Sequence, residues 1–503
     1  MIKLQKATQA RPSLHLKLEG FRAFANSGTF RLAPLTCIVG PNSSGKTSII
    51  AALLLLKQSL EQEVFSTRVS PLALSGPYCD LGSFADAVHG NNTKTQIGFT
   101  FTVPFRVLTQ PILENPIVNL GLPQTRLSRR FYGPYYRRSD LEPFSGNDEI
   151  EMGLFFAVDE PFGPSLSRLE IRIQSEGSAR FIRTVGGKRR QHWRSYSTDL
   201  PHRSLSLRFH PSIFFPLVHS RSRAYQNAGP HTKRRIKKFV RGSQLCFAYL
   251  QEVMGASELI GPFRTPPARM YSFGGFSSTR GGTSGQRTID LLITEKLLRT
   301  PGQPLQEAVS FWLRHLKLAG GSVSIEDVAK GASLFQVNLG RVGPSTESNL
   351  ADVGYGISQI LPVIVQGLLM PPGAIYIVQQ PEIHLHPDAQ AGLTDFFLFL
   401  SSKGVRTIVE THSEYFLIRL RRRLSEGALR FAQAPPRETN SVFPIRVEDV
   451  SVLLTSSDRK SGSTVKELEI GPSFQFENLP KGFMDQAVQD RMALLKSAGK
   501  GHE

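Results

Sequence analysis

The feature that most constrains this chain is the octapeptide GPNSSGKT at residues 40–47, which lies between a buried-strand pattern and a helix pattern. The preceding run LTCIV (Leu35–Val39) is continuously apolar, as expected for a strand buried on both faces. The following SIIAALLLLKQSLEQEVF predicts a helix of about five turns. In this strand–loop–helix context the pattern G-x-x-x-x-G-K-[ST] predicts a phosphate-binding P-loop, whereas a simple Gly/Ser turn needs neither flank.

Each residue type of the loop has a chemical reason. Glycine lets the backbone N–H groups curl around phosphate oxygens, and the helix N-terminus adds a partial positive charge. We expect Lys46 to reach the β- and γ-phosphates and the Thr47 hydroxyl to coordinate Mg²⁺. The predicted cofactors are therefore ATP and Mg²⁺. The predicted cofactor-binding residues of the loop are Gly40, Pro41, Asn42, Ser43, Ser44, Gly45, Lys46, Thr47 and Ser48.

The charge balance constrains the partners. The 503 residues include 60 Lys+Arg and 41 Asp+Glu, a net charge of +19 that favours an anionic partner such as nucleic acid, an acidic protein or an anionic membrane. Three separated cysteines exclude a disulfide scaffold and a Cys-based zinc site. The N-terminal residues contain no apolar signal sequence, and prolines interrupt the long uncharged run at residues 353–381. We therefore expect a cytoplasmic protein without a membrane partner.

Strand–helix alternation in two separated segments predicts an α/β fold with a mostly parallel sheet. It occurs around the P-loop and again where the strand patterns AIYIV and VRTIVE flank the helix pattern PDAQAGLTDFFLFLSS. The region between mixes prolines, arginines and aromatic residues with the strand-like LEIRIQ and the helix-like LQEAVSFWLRHLKLAG, which indicates a folded insertion. The predicted division is a first half of the nucleotide-binding head at 1–104, a basic inserted lobe of α/β or α+β type at 105–340, a second half at 341–430 and a small C-terminal domain at 431–503.

Four motifs in order carry a resemblance to a known family. GPNSSGKT is followed by DVGYGISQILPVIV, QQPEIHLHPDAQ and IVETHSEYFLIRL. This order resembles the OLD/RecF/SMC-like branch of ABC-type ATPases, over about residues 14–95 and 255–485. It is most similar to bacterial AAA-type ATPases whose small C-terminal domain ends in a motif like LPKGFMD (residues 479–485), among which Septu-type ATPases act in anti-phage defence. The resemblance implies an ABC-type ATPase head in a bacterial cytoplasm.

The resemblance also implies roles for residues of the second half. Gly354 and Gly356 lie at the ABC signature position, which directs a helix N-terminus at the γ-phosphate on a second subunit, so a homodimer or higher homo-oligomer is expected. His412 matches the switch histidine that contacts the γ-phosphate, and His386 lies in the D-loop. Simpler interpretations are a glycine-containing helix start, a structural histidine and, for His384 with His386, a metal site that lacks a third ligand.

The Walker B segment departs from the family, which has an acid that holds Mg²⁺ followed by a catalytic glutamate. This chain has Gln379 and Gln380, and since the most similar relatives have Glu-Gln-Pro-Glu, Gln379 is the anomalous residue. Its neutral amide is a poor Mg²⁺ ligand and no general base. Gln379 is either an engineered trap of the ATP state, which we favour, or a natural feature of a slow ATPase. We assign the metal position to Thr47 and Gln379, and the catalytic position to Gln379, Gln380, Glu382 and His412, with Glu382 and Glu410 as carboxylates able to orient water.

Two arginine-bearing segments suggest contacts with phosphate. IGPFRTPPARMY resembles a G-P-x-R-x-x-P-x-R segment of the same relatives, and its Arg264 and Arg269 either meet phosphate or brace a proline-rich loop. A second segment places six cations within nine residues, with apolar residues on the opposite helix face. For it we predict contact with double-stranded DNA or another polyanion, an acidic protein or a solvated face being the alternatives. Its cations are Lys233, Arg234, Arg235, Lys237, Lys238 and Arg241.

The resemblance finally suggests a function. Relatives that cut nucleic acid carry a C-terminal Toprim domain with Asp-x-Asp acids, whereas no Asp-x-Asp follows residue 430 here. We therefore predict an ATPase subunit whose head dimer gates a separate effector, a nuclease or a toxin, in anti-phage defence with DNA sensing. The alternatives are a nucleotide-bound scaffold that does not hydrolyse ATP and holds an effector inactive, and a RecF-like DNA repair and recombination ATPase.

Overall fold

The computed structural model describes residues 13–61, 71–105, 148–159, 163–186, 190–197, 200, 205–210, 213–220, 223–275, 282–298, 304–318, 321–328, 333–340, 347–458 and 462–478. Its strands are β1 (Leu14–Phe21), β2 (Phe24–Leu32), β3 (Leu35–Val39), β4 (Ile97–Pro104), β5 (Glu149–Asp159), β6 (Gly163–Ile173), β7 (Gly177–Gly186), β8 (Arg190–Ser197), β9 (Ser206–His210), β10 (Ile213–His219), β11 (Glu258–Ile260), β12 (Tyr271–Ser272), β13 (Val323–Asp327), β14 (Leu334–Gly340), β15 (Glu347–Asn349), β16 (Ile375–Gln379), β17 (Arg406–Glu410), β18 (Ala428–Arg430), β19 (Val442–Pro444), β20 (Val450–Asp458) and β21 (Gly462–Glu467). Its α-helices are α1 (Lys46–Glu61), α2 (Phe84–Ala87), α3 (Arg223–Gln226), α4 (Pro230–Gly255), α5 (Thr288–Leu297), α6 (Pro304–His315), α7 (Tyr355–Leu369), α8 (Pro387–Ser402) and α9 (Glu414–Glu426). None of these helices is both long and apolar enough to cross a bilayer. The LPKGFMD motif lies outside the described residues.

A six-stranded central sheet carries the candidate site, with the strand order β11-β16-β17-β3-β20-β21. The first five strands are parallel to their neighbours, and β21 pairs antiparallel with β20. Strands β3 and β17 are buried along their whole length, as expected for continuous apolar runs in a covered parallel sheet. Helices α6, α7 and α8 share one apolar core with this sheet. The predicted α/β fold with a mostly parallel sheet is confirmed.

A second sheet is antiparallel and has seven strands in the order β2-β1-β4-β5-β6-β7-β8. In β1 the apolar residues Leu14, Leu16 and Leu18 are fully buried and alternate with half-buried polar residues, which is the period of two that LHLKLEGF predicts. Helices α1 and α4 complete the apolar core of this sheet.

Both sheets draw strands from several of the predicted segments. Strands β1, β2 and β4 share a sheet with β5–β8, joined through the pairing of β4 with β5, and β11 of the inserted segment joins the central sheet. Strands β20 and β21 of the C-terminal segment complete that sheet. Periodicity indicates that a segment is a strand but not which distant strand satisfies its backbone hydrogen bonds. The four-part division therefore stays a prediction about sequence segments.

Arg31 of β2 joins the two sheets. Its guanidinium pairs with Glu467 at 2.6 Å and donates to the carbonyl oxygens of Val450 and Glu448. Nearby, the Ser463 N–H donates to the carbonyl oxygen of Ala23 at 2.8 Å. These contacts hold the C-terminal strands β20 and β21 against the strand that leads into β3 and the P-loop.

Candidate nucleotide site

The P-loop lies at the carboxyl edge of the central sheet, directly after β3. Gly40, Ser43 and Gly45 have φ angles of 145°, 62° and 101°. Positive φ is the region that glycine favours, and glycine occupies two of these three positions. Helix α1 then begins at Lys46 and runs for 16 residues, so the positive end of its dipole faces the loop. A loop with positive φ angles that leads into a helix N-terminus is a local geometry that can bind phosphate.

Lys46 is held inside the loop. Its Nζ donates to the carbonyl oxygens of Gly40 at 3.1 Å and Pro41 at 2.7 Å, and only 5% of the residue is exposed. Burial lowers the pKa of this ammonium, and the Glu410 carboxylate partly opposes the shift. The neighbouring Thr47 is exposed. The start of α1 therefore carries a buried ammonium and, at the next residue, an exposed hydroxyl, the two groups that the P-loop prediction assigns to ATP and Mg²⁺.

Thr455, far away in the sequence, supports the P-loop. Its Oγ1 lies 2.5 Å from Ser44 Oγ and donates to the carbonyl oxygen of Val39 at 3.2 Å. A Cβ added to Gly40 would lie 2.5 Å from both the Thr455 carbonyl oxygen and its Oγ1, so β20 leaves no room for a side chain there. Sequence reasoning missed Thr455 because nothing in VSVLLTSSD identifies β20 as the neighbour of β3.

The other side of the site is an amide–carboxylate pair. Gln379 and Glu410 are register partners in β16 and β17, and Gln379 Nε2 donates to Glu410 Oε2 at 2.8 Å. Glu410 is also the register partner of Ile38 in β3, so β17 lies between Gln379 and the P-loop strand. Only 4% of Glu410 is exposed. A buried carboxylate therefore lies beside the residue where the sequence shows no acid.

The turn after β16 contacts the segment that holds His412. Gln380 has a φ of 44°, a strained value for a residue with a side chain, and its N–H donates to the Glu410 carbonyl oxygen at 2.8 Å. Glu382 Oε1 accepts the His412 backbone N–H at 2.6 Å, and burial raises the pKa of this carboxyl group. Desolvation and the nearby Lys46 ammonium lower the pKa of the exposed His412. Gln379, Gln380, Glu382 and His412 thus lie together at the ends of β16 and β17.

The donors present fit a magnesium ion that arrives with a nucleotide. In the described ranges no three His, Cys, Asp or Glu side chains form a ready metal site. Mg²⁺ usually keeps several waters and takes one or two carboxylates plus substrate phosphates, so the Thr47 hydroxyl and the Glu410 carboxylate would be sufficient protein donors. Among the described residues no third ligand joins His384 and His386, and His386 Nδ1 accepts the Asp388 N–H at 3.4 Å as the cap of α8.

The predicted signature loop packs against the predicted D-loop. Gly354 is the exposed N-cap of α7, and the ring of Tyr355 meets the ring of His384 edge-on, with centroids 5.0 Å apart. A Cβ on Gly356 would lie 2.6 Å from the His384 carbonyl oxygen. Glycine at 356 is therefore required for the close approach of these two loops.

The segment IGPFRTPPARMY contacts the turn after β16 and the loop that precedes α7. Buried Arg264 donates through Nη2 to the carbonyl oxygens of Gln379 at 2.9 Å and Gln380 at 3.3 Å. Burial lowers the pKa of its guanidinium to about 10. Arg269 forms a two-point ion pair with Asp352, which precedes α7, at 2.5 Å and 3.0 Å. These contacts favour the bracing role over direct contact with phosphate.

The basic run lies in the first turns of α4, whose apolar face is buried. Arg234 and Lys237 are exposed. Lys238 pairs with the Glu176 carboxylate at 2.5 Å, and Arg235 donates to the Glu176 carbonyl oxygen at 3.0 Å. At least two of the six cations therefore make contacts within the protein, which leaves Arg234 and Lys237 as the members that face solvent most fully.

Two family models match the sequence. An AAA ATPase domain matches residues 322–417, and an AAA domain matches residues 15–59. The second match holds β3, the P-loop and the start of α1, and the first holds the signature loop, the Gln379–Glu410 pair and His412. Both matches are to AAA-type ATPase domain models, and they lie in two separated segments of the chain.

Solved SMC head domains are similar to this chain at low identity. The SMC head bound to the C-winged helix domain of ScpA is 12% identical, with 91% of this chain and 99% of that chain covered and a TM-score of 0.40. The SMC head domain from Thermotoga maritima is 10% identical, with 92% of this chain and 100% of that chain covered and a TM-score of 0.35. The Smc head domain bound to the C-terminal domain of ScpA derived from Pyrococcus furiosus is 9% identical, with 96% of this chain and 98% of that chain covered and a TM-score of 0.39. A search of the curated proteins finds no significant match to this sequence.

Proposed function

We propose that this chain is an ATPase subunit that binds ATP–Mg²⁺ between two heads and thereby gates a separate effector, a nuclease or a toxin. The observation that supports the nucleotide site most directly is its position. The P-loop, the Gln379–Glu410 pair and His412 follow three adjacent parallel strands, β3, β16 and β17, at one edge of the sheet. Ligands of open α/β sheets bind outside the carboxyl ends of the strands.

In the proposed site each group has a separate task. The loop N–H groups and Lys46 bind phosphate oxygens, and the Thr47 hydroxyl orients the metal, which when bound neutralises phosphate charge. His412 contacts the γ-phosphate. Gln379 and Gln380 are both neutral and neither can accept a proton from the attacking water, so the chain binds ATP well and hydrolyses it slowly.

Exposed apolar side chains support a dimer of heads. Phe263, Met270 and Tyr355 are 90%, 52% and 49% exposed. Phe263 adjoins Arg264, which contacts the Walker B turn, and Met270 and Tyr355 flank the Arg269–Asp352 pair near the exposed N-terminus of α7. We interpret these exposed apolar side chains as part of a contact surface, which a second copy would cover while its nucleotide meets α7.

Light scattering with ATP–Mg²⁺, with ADP–Mg²⁺ and without nucleotide tests this dimer. We expect a dimer with ATP–Mg²⁺ alone, and we expect Phe263→Ser to weaken it. Tyr196→Ser, which alters another exposed aromatic residue on β8, is the matched control and should leave the dimer intact. A monomer under every condition would contradict the proposal.

DNA sensing rests on the exposed cations of α4. Binding of duplex DNA should weaken steeply with salt, and Lys237→Ala should reduce the slope of log K against log salt by about 1. Binding that is insensitive to salt would exclude backbone contact.

The defence role is tested in cells that carry this gene with its neighbours and are challenged with phage. We expect the wild-type locus to protect the cells and Lys46→Ala to abolish protection. Equal plaque counts for the two loci would contradict a role of ATP binding in defence.

A scaffold that holds ATP without hydrolysing it is the second candidate, and the neutral amide of Gln379 favours it. Constant ATP occupancy with no turnover, with or without DNA, would support the scaffold. Turnover stimulated by DNA would contradict it.

A further inference from the structure

Glu410 is a buried carboxylate that the sequence indicates only as able to orient water. It is the last residue of β17, only 4% exposed, and its Oε2 accepts a hydrogen bond from Gln379 Nε2 at 2.8 Å. An ionised carboxylate in such a place needs partners that compensate its charge. The Gln379 amide, which donates a hydrogen bond to it, is one of these partners.

The strand order fixes where Glu410 lies relative to the P-loop. Its register partners are Gln379 on one side and Ile38 on the other, and Ile38 is two residues before Gly40. The backbone is held on both sides of the residue. The Gln380 N–H donates to the Glu410 carbonyl oxygen at 2.8 Å, and the Thr411 N–H donates to the Ile38 carbonyl oxygen at 3.2 Å. Glu410 therefore stands on a rigid element between the phosphate loop and the end of β16.

The amide at position 379 changes the charge of this pair. Two carboxylates at hydrogen-bond distance cannot both stay ionised unless a proton or a cation lies between them. Gln379 donates a hydrogen bond to Glu410 instead, so this contact needs neither a shared proton nor a bridging cation. One carboxylate, combined with phosphates and water, is within the usual coordination of Mg²⁺.

We propose that Glu410 supplies the carboxylate of the Mg²⁺–nucleotide site in this chain and that Gln379 positions it through the amide–carboxylate hydrogen bond. The inference rests on the proposed function, because the metal arrives with ATP. It explains how a chain without an acid at position 379 retains a negative donor at the edge of the sheet beside the P-loop. Gln379 acts through Glu410 and is a positioning residue.

The test is the affinity for ATP with Mg²⁺ and with EDTA, measured by calorimetry on the full chain. The ratio of the two affinities reports the contact with the metal independently of hydrolysis. We expect Mg²⁺ to tighten ATP binding by wild type, and Glu410→Gln to lose about tenfold of this tightening, the loss expected for one charge-assisted contact. Glu414→Gln, which removes a nearby carboxylate on α9, should behave as wild type.

A charge-swapped chain, Gln379→Glu with Glu410→Gln, keeps one amide and one carboxylate in the pair. We expect it to recover the Mg²⁺-dependent tightening, and it serves as the test if Glu410→Gln alone does not fold. Equal tightening in wild type and Glu410→Gln would overturn this inference while leaving the proposed function intact. Absence of ATP binding by wild type would overturn both.

Discussion

The two sides of the candidate site differ in how completely they keep the residues that their chemistry needs. The P-loop side has both glycines, Lys46 and Thr47, and Thr455 of β20 fits closely against Gly40. The β16 side has an amide at position 379, and its nearest carboxylate belongs to the adjacent strand. Phosphate binding needs donors in a concavity, whereas hydrolysis also needs a group that takes a proton from water. The contrast implies that ATP binding and ATP hydrolysis depend on separate groups of this chain.

The largest expected effect is on the binding side. Lys46→Ala removes the ammonium that is buried in the loop, and a charge-assisted contact contributes about 2–3 kcal/mol. We therefore expect ATP affinity to fall by about 30–150-fold in a calorimetric titration. Lys237→Ala, an exposed lysine of α4, is the control and should bind ATP normally. If Lys46→Ala bound ATP as tightly as wild type, the assignment of ATP binding to the P-loop side would be contradicted.

A smaller effect on ATP binding is expected at Thr455 of β20 and would show that β20 belongs to the binding side of the site. Thr455→Val keeps the shape of the side chain but removes its hydrogen bonds to Ser44 Oγ and the Val39 carbonyl oxygen, a loss of about 1–2 kcal/mol. We expect lower thermal stability and ATP affinity reduced by several-fold. Thr464→Val, which breaks a contact between exposed hydroxyls on β20 and β21, should change neither property. Identical behaviour of the two variants would remove Thr455 from the site.

The pH dependence of stability tests the β16 side of the site through the buried carboxyl group of Glu382. Burial raises the pKa of Glu382 in the folded chain above its ordinary value of 4.5. The stability that this group contributes is complete below its unfolded pKa and is lost as the pH rises through the folded pKa. Glu382→Gln removes the titrating group and can still accept the His412 N–H, so its unfolding temperature should decline less with rising pH than that of wild type. Equal declines in a series of melting curves would refute the effect of burial.

The smallest expected effect concerns the Arg269–Asp352 ion pair, which joins the IGPFRTPPARMY segment to the loop before α7. The Arg269–Asp352 pair is largely exposed, and such pairs contribute about 0–1 kcal/mol. Arg269→Ala should therefore leave the unfolding temperature almost unchanged. It should weaken the ATP-dependent dimer by a few-fold, because the loop before α7 loses its support. Arg422→Ala, which breaks another exposed ion pair on α9, is the control in the same light-scattering series.

The sequence predicted the local parts of the molecule that depend on residue type and spacing. The buried strand β3, the glycine-rich loop and helix α1 follow each other without a break, so their pattern alone indicates the P-loop. The alternation of β1 and the buried run of β17 are equally local, and both are found. The roles of His412, Gly354 and Gly356 stay predictions.

The pairings between distant segments could not be predicted. Thr455 reaches the P-loop because β20 pairs with β3, and Glu410 reaches Gln379 because β17 pairs with β16. No periodicity records which strands become neighbours, and the contact of Lys238 with Glu176 likewise depends on how α4 packs. The contacts that complete the site therefore became visible only in the folded chain.

The most direct test of the account measures ATP binding and single-turnover hydrolysis on the same preparations of this chain and of Gln379→Glu, with and without duplex DNA. The account predicts that both chains bind ATP–Mg²⁺ and that Gln379→Glu hydrolyses it far faster. Equal turnover by the two chains, or tight binding by both with no turnover by either, would contradict the claim that the β16 side limits hydrolysis.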